Sequence, residues 1–421
     1  MRKIVLYLKT LATAAATATA LAAAHGGVAA DGAIAPAAAS VGSAGATTAI
    51  GSAASTADTA TTGGPLGPIA GASTSSDSFG GSAGAKAAGG ANGAVVAARL
   101  RPAVVSGHAA QSVMLGAAHA GARLVTVGER GIILFSDDNG QRWQQADIPV
   151  SVTLTAVRFS DARNGIAVGH AGIILRTADG GAHWQKVLDG ERIAALALET
   201  AKRSNDALAL RDAERLVADG ADKPLLDICL LNNQRMLAIG AYGLALGSED
   251  GGTTWHAWMD RLHNPKGLHL NAARQQGDTI LIAGERGYAA LSTDAGRSFH
   301  TLSVPYQGSF FTADILTNGD YILAGLRGNV WRSNDKGISW RQLANPAPVS
   351  ITASAARDEG TLIFANQAGM LLTLRDDALV PAPAAPLPPL NGLLATKNGS
   401  LLALSIQGLI PVPAQSPGAV K

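Results

Sequence analysis

From residue 98 onward, short apolar runs alternate with polar turns, and the alternation itself repeats. Residues 155–159, 165–168, 173–176 and 184–188 are four such runs, parted by polar clusters such as residues 160–164. Short β-rich runs bounded by Gly, Asn and Asp are the signature of strands joined as hairpins. A Gly-x-x-Gly string sits between the second and third runs. Its second glycine recurs as Gly131, Gly172, Gly243, Gly287, Gly328, Gly369 and Gly408, at steps of 41, 71, 44, 41, 41 and 39 residues. A unit of about 40–45 residues with four strands is a propeller blade. One blade cannot bury both of its faces, so the pattern predicts an all-β, seven-bladed β-propeller closed into a ring.

Five units carry a second string, Ser/Thr-x-Asp-x-Gly-x-x-Trp/Phe. Its carboxylates and aromatics are Asp138 with Trp143, Asp179 with Trp184, Asp250 with Trp255, Asp294 with Phe299, and Asp335 with Trp340. The sixth unit keeps Asp376 and loses the aromatic. The carboxylate is expected to accept N–H groups of its own turn, the glycine to adopt positive φ, and the aromatic to pack on the sheet. One aspartate per blade sets them around a ring. That is too far apart for paired acid–base work, which needs carboxyl groups within about 5–9.5 Å, so the ten residues are expected to be structural.

The 71-residue step marks an insertion at 189–223. Residues 191–203 and 206–219 are rich in Ala, Leu, Glu and Arg, with Asp206 as N-cap and Gly220 as C-cap, which predicts two short helices. Leu210, Ala213 and Val217 form an apolar stripe on the second. Two readings are open for this insertion, a flap on the propeller's own side or a docking element. The last unit offers only three strands, at 393–396, 401–405 and 409–412, so residues 97–106 are expected to supply its fourth and close the ring, with Pro102 at an edge. The first blade's inner strand is expected at 111–117, and the proline-rich run 381–389 suits an edge strand and the link from blade six to blade seven.

The N-terminal quarter differs. Arg2, Lys3 and Lys9 precede an uncharged Ala/Leu-rich stretch ending at Ala22-Ala23-Ala24, the form of a Sec-type export signal over 1–24. Residues 25–97 are Ala, Gly, Ser and Thr with almost no core-forming side chains, and read as a disordered linker. Residues 98–421 are the folded domain. A periplasmic or secreted protein is the expectation. The 33 Lys and Arg against 31 Asp and Glu give a net charge of +2, which argues against phosphate-driven nucleic-acid binding. A single cysteine, Cys229, excludes an internal disulfide framework, a CxxC pair and a thiolate zinc cage. It sits in an apolar run and is expected to be a buried structural thiol. His256, His263 and His269 lack metal-ligand spacing and are expected on the surface or in loops. No catalytic residue, metal or cofactor is assigned.

The Gly-x-x-Gly turns carry the chemistry that is left. Glu129-Arg130, His170-Ala171, Tyr242, Glu285-Arg286, Leu326-Arg327, Gln367-Ala368 and Gln407 stand within them. All these turns emerge on the face opposite the aspartate strings. Arginine suits bidentate grip on carboxylates and protein interfaces. Arg130, Arg286 and Arg327, with Tyr242 and His170, are therefore the candidate partner-binding residues, the arginines forming a discontinuous patch because Ala171, Tyr242, Ala368 and Gln407 hold the position in blades two, three, six and seven.

The aspartate string is the Asp-box, or BNR repeat, and residues 165–184 (GIAVGHAGIILRTADGGAHW) resemble the repeat of the photosystem II stability/assembly factor family. The resemblance covers about residues 98–421. It implies a non-enzymatic propeller that presents an arginine-bearing face to a membrane protein or envelope complex, with no nucleic acid or small-molecule substrate. Exported relatives in bacteria without photosynthesis imply accessory roles beside membrane machinery such as RND-type transporters. Asp-boxes also occur in sialidases, which makes a glycan-active or glycan-binding propeller the second reading. The sialidase arginine string has its nearest match at Arg99-Leu100-Arg101-Pro102, where leucine holds the arginine position.

Overall fold

The computed structural model describes residues 98–357, 360–397 and 399–414. The expected export signal and linker lie outside these residues. Seven antiparallel sheets follow one another along the chain, six of four strands and one of three. Their innermost strands are Met114–Ala120, Leu154–Phe159, Leu225–Leu230, Leu270–Gln276, Phe310–Ile315, Ile351–Ala356 and Leu390–Ala395. Each packs beside the innermost strand of the next blade, and the seventh packs beside the first, so the ring is closed. Five of the second strands are buried throughout, for example Gly165–Gly169 and Tyr321–Gly325, and the other two are buried past their first residues, Arg123 and Thr279. They lie mid-sheet with a neighbouring blade on either face, which is why they read as continuous apolar runs rather than alternating ones.

The core is seven separate cores, one between each pair of blades. Between blades one and two, Val125, Ile133 and Phe135 meet Val157, Ala167 and Leu175. A polar device joins several blades near the axis. Thr155 Oγ1 donates to Leu225 O (2.8 Å), Asn271 Nδ2 to Phe310 O (2.7 Å), Thr352 Oγ1 to Leu390 O (2.7 Å) and Asn391 Nδ2 to Met114 O (3.0 Å). Each donor lies one residue into an innermost strand and reaches the first carbonyl of the next. The Asn391 bond crosses from blade seven to blade one.

Closure therefore differs from the sequence expectation. Blade seven has three strands among the described residues, and residues 98–106 do not join it. They run along the edge of blade one and its connection to blade two, where Ser151 N–H donates to Ala98 O (2.8 Å) and Ala103 N–H to Ile148 O (3.1 Å). Arg99 fixes the course of this segment. Its guanidinium is buried and donates to Asp189 and Glu191, both at 2.6 Å. The ring closes instead through the packing of Met114, Ile132 and Leu134 on Leu402 and Leu404, the Asn391 bond, and a return bond between His119 Nε2 and Ala395 O (2.7 Å). The first inner strand accordingly begins at Met114, and residues 109–111 form a 3-10 turn. The proline run begins as expected, with Ala378–Pro381 as the outer strand of blade six.

The insertion folds as two helices, α1 (Gly190–Ser204) and α2 (Ala207–Asp219). Asp189 caps α1 by accepting from Arg192 N–H, and Asp206 caps α2 by accepting from Leu208 and Ala209 N–H. Ile193 and Leu196 of α1 enter the core between blades two and three. Ala213 is buried and Leu210 half-buried against α1, but Val217 is exposed. The stripe therefore turns toward Leu216 rather than Val217. The insertion is a flap on the propeller's own rim.

Candidate functional site

The five Asp-boxes form one repeated turn. In blade two, Asp179 Oδ1 accepts from Thr177 Oγ1 (2.8 Å), Ala182 N–H (3.0 Å) and His183 N–H (3.1 Å), while Thr177 Oγ1 accepts from Gly181 N–H (3.1 Å). Trp184 Nε1 then donates to Gly181 O (3.0 Å). Asp138, Asp250, Asp294 and Asp335 repeat the hydroxyl and backbone bonds. The glycine takes positive φ as expected, 90° at Gly181, and so does the residue before it, even where that residue is Asn139, Ala295 or Lys336. These bonds hold the carboxylates ionised. Burial pulls Asp179 upward, but the bonds from His183, Thr177 and Ala182 outweigh it and set it at about 2. The Ser339 hydroxyl and N–H bring Asp335 to about 2, and Ser298 takes Asp294 below the usual range. An acceptor whose lone pairs are spent on its own turn is a structural carboxylate.

The aromatics have a job beyond their own sheet. Trp184, Trp255, Phe299 and Trp340 each enter the core shared with the preceding blade, and Trp143 enters the core between blades seven and one. The box thus ties a turn to the neighbouring blade. In the sixth blade, Asp376 sits at positive φ without the aromatic.

The opposite face carries the Gly-x-x-Gly turns, which in blades one to five are 3-10 turns after the second strand. The first glycine is required by close approach, since a Cβ on Gly128 would lie 2.2 Å from Val113 O. The second combines positive φ with crowding, since a Cβ on Gly131 (φ 75°) would lie 2.3 Å from Val150 O. Between them a non-glycine residue is held in the left-handed region: Arg130 (φ 56°), Ala171 (57°), Tyr242 (58°), Arg286 (56°) and Arg327 (57°). The turns are pinned from below and from the side. Glu129 N–H donates to Val113 O and Glu285 N–H to His269 O, each acceptor lying just before the innermost strand of the same blade. Tyr242 N–H donates to His269 Nδ1 (3.0 Å) and Arg327 N–H to Ser350 Oγ (3.2 Å).

The structure brings the candidates into an arc over blades one to five. Arg130 is 84% exposed and lies 4.0 Å from Glu129. Arg286 and Arg327, on adjacent blades, are exposed and make no ion pair among the described residues. Tyr242, on the blade before them, is 50% exposed, with its ring against His269 (centroids 5.0 Å) and beneath Lys223 Nζ (5.2 Å). His170 differs. The start of α1 packs over the turn of blade two, burying Ala171 and placing Gly190 against Gly172. His170 is therefore half-buried, and burial pushes its imidazole toward the neutral form.

Sequence reasoning missed Lys223 and His269, which join Tyr242 only through the fold. His256 and His263 are exposed, as expected. Cys229 is buried and its thiol is pushed up to about 12, first by burial and then by Asp227. Beside it a charged belt crosses the inner strands. Asp227 accepts from Arg158 (3.1 Å) and Arg274 (2.7 Å), and Asp314, bonded by Ser354, is pushed up to about 6 by burial. The residue matched to a sialidase string, Arg99, is spent on Asp189 and Glu191 at the rim. Among the described residues no group of three or more His, Cys, Asp and Glu is placed to hold a metal, and no helix is long and apolar enough to cross a membrane.

Fold and turns together define a seven-bladed Asp-box propeller with a rigid, arginine-bearing face. A family model described as photosynthesis system II assembly factor YCF48 matches residues 135–206 and 209–375, more than half of the chain. The chain belongs to that family. No curated protein matches its sequence. The solved structure of YCF48 from Cyanidioschyzon merolae is 13% identical with a TM-score of 0.53, covering 75% of this chain and 98% of that one. A streptogramin B lyase is 12% identical with a TM-score of 0.57, covering 73% and 95%. YCF48 bound to a D1 peptide is 21% identical with a TM-score of 0.38; the match covers 42% of this chain and 59% of that chain's length. The first two likenesses show the propeller fold, which serves an assembly factor and a lyase alike.

Proposed function

We propose that this protein is an exported, non-enzymatic accessory or assembly factor that holds a segment of a membrane protein of the cell envelope on its turn face. The family supports a protein-binding assembly role. The observation that carries the site is the placing of Arg130, Arg286, Arg327 and Tyr242 at left-handed turn positions. That conformation costs a non-glycine residue roughly 1 kcal/mol, and here it lifts three guanidiniums and a phenol into solvent on pinned turns. Arginine and tyrosine are the side chains that dominate protein interfaces. An acidic or carboxylate-bearing segment fits the arginines. The export step rests on the composition of residues 1–24.

Arg286→Gly separates the site from the scaffold. Glycine relieves the left-handed strain, so the variant is expected to melt at or slightly above the wild-type temperature while retaining less of the partner captured from native envelope fractions. A variant that melts normally and captures as the wild type does would remove Arg286 from the site. Fractionation of the native cell tests the compartment.

A further inference from the structure

A second charged site lies away from the turn face, around the Asp-box loops of blades three and four. Arg235, in the first hairpin turn of blade three, Arg261, just beyond that blade's outer strand, and Arg297, in the Asp-box of blade four, line one cavity of about 390 Å³ together with Glu249. Trp258, fully buried, holds two of them. Arg261 stacks on its ring at 3.9 Å, and the Arg235 guanidinium lies 5.9 Å from the same ring. Arg261 Nη1 donates to Gly296 O (3.0 Å), which fixes its orientation across the blade boundary.

The donors of this cluster are underused. Each guanidinium carries five N–H groups, and the bond to Gly296 O is the one side-chain hydrogen bond the three make among the described residues. Glu249 approaches Arg235 only to 3.7 Å and is itself mostly exposed. Asp260 and Asp294 lie close enough to act on Arg261, yet Asp294 spends its oxygens on Ser292, Arg297 N–H and Ser298, and Asp260 bonds none of the three arginines. Arg235 and Arg261 are half-buried and Arg297 is exposed, so three like charges share one cavity with N–H donors to spare, an arrangement that suits an anion.

We propose that Arg235, Arg261 and Arg297 form a binding site for an oxyanion group, a phosphate, sulfate or carboxylate carried on a larger ligand. The larger body has somewhere to lie. Glu249 and Arg261 also line a second cavity of about 600 Å³, which runs beneath α1 past Leu196, Trp255 and Ala257. The site does not depend on the turn face and stands or falls separately from it.

The test is titration of the full chain with inorganic phosphate, sulfate and acetate at fixed ionic strength, read by calorimetry and melting temperature. Saturable binding of at least one anion is expected, and the three arms tell tetrahedral from carboxylate chemistry. Arg297→Gln, an exposed substitution, is expected to weaken it about tenfold or more, as loss of a charged hydrogen bond does. Glu249→Gln is expected to strengthen binding several-fold by freeing Arg235. Arg142→Gln, at an exposed Asp-box arginine that lines neither cavity, is expected to leave it unchanged. No saturation with any anion up to tens of millimolar would overturn the site. So would binding that Arg297→Gln leaves intact, or that Arg142→Gln weakens equally.

Discussion

Replacing Asp179 by alanine removes one acceptor that holds four donors: Thr177 Oγ1, Ala182 N–H, His183 N–H and His183 Nδ1. The amides lie near the surface, so water replaces part of what is lost, and the His183 contact is exposed and screened. The cost is then set by the two amide bonds and by loosened placement of Trp184, which is buried between blades one and two. Two charge-assisted bonds at a partly solvated site give about 1–3 kcal/mol, a fall of roughly 2–6 °C in melting temperature. Asp179→Asn keeps an oxygen for the turn and is expected to lose less. The pH dependence has a definite sign. The folded carboxyl titrates at about 2 against an ordinary 3.8, so its contribution is present above about pH 4 and is lost as pH falls through 2. The gap between wild type and Asp179→Asn should close over that window. Tryptophan fluorescence during thermal melts at several pH values reads both effects. A D179A protein with unchanged melting and abolished partner capture would show that the carboxylate is functional and the structural reading mistaken.

Two further perturbations address the ring and its axis. Asn391→Ala removes the bond that crosses from blade seven to blade one, and Asn271→Ala removes its counterpart between blades four and five; each is expected to lower stability by about 1–2 kcal/mol, and an Asn391 variant that melts as wild type would show that closure lies elsewhere. Asp314 is pushed up to about 6 from 3.8 by burial, so the folded chain favours its protonated form and stability is lost as pH rises from about 4 through 6. Asp314→Asn should therefore gain on the wild type by about 1–3 kcal/mol between pH 4 and pH 8, and a difference that stays flat with pH would contradict the assignment.

Much of this fold was legible because its information is local and repeated. Each blade writes its own turns, so Gly-x-x-Gly and the Asp-box could be read from neighbours in sequence, and the strands of blade two fell within one residue of their predicted ends. The helix caps at Asp206 and Gly220 were equally local. Closure was not. The course of residues 98–106 is decided by Arg99 reaching Asp189 and Glu191, some 90 positions away, and no spacing rule announces an ion pair of that range. Asn391, which bonds across the ring to Met114, belongs to a series with Asn271 and Thr352 that becomes visible only once the inner strands are aligned in space. The same holds for the sites. The turn arginines were found by position in the repeat, whereas Arg235, Arg261 and Arg297 come from three different local contexts and meet only around one cavity. The cover over His170 arises from the insertion, whose packing against blade two the helix pattern alone did not specify.

The central claim is that the arginine-bearing turn face grips a protein partner. Its most direct test is the triple variant Arg130→Glu, Arg286→Glu and Arg327→Glu, compared with wild type for melting temperature and for what is retained from native envelope fractions. Exposed turn substitutions usually change stability by no more than about 0.5 kcal/mol each, while like charges set against an acidic partner cost several kcal/mol. The expected result is a folded protein that melts near wild type and loses the partner the wild type captures, with Arg142→Glu on the other face retaining it. A well-folded triple variant that still holds the partner would contradict the account and move the docking surface away from this face.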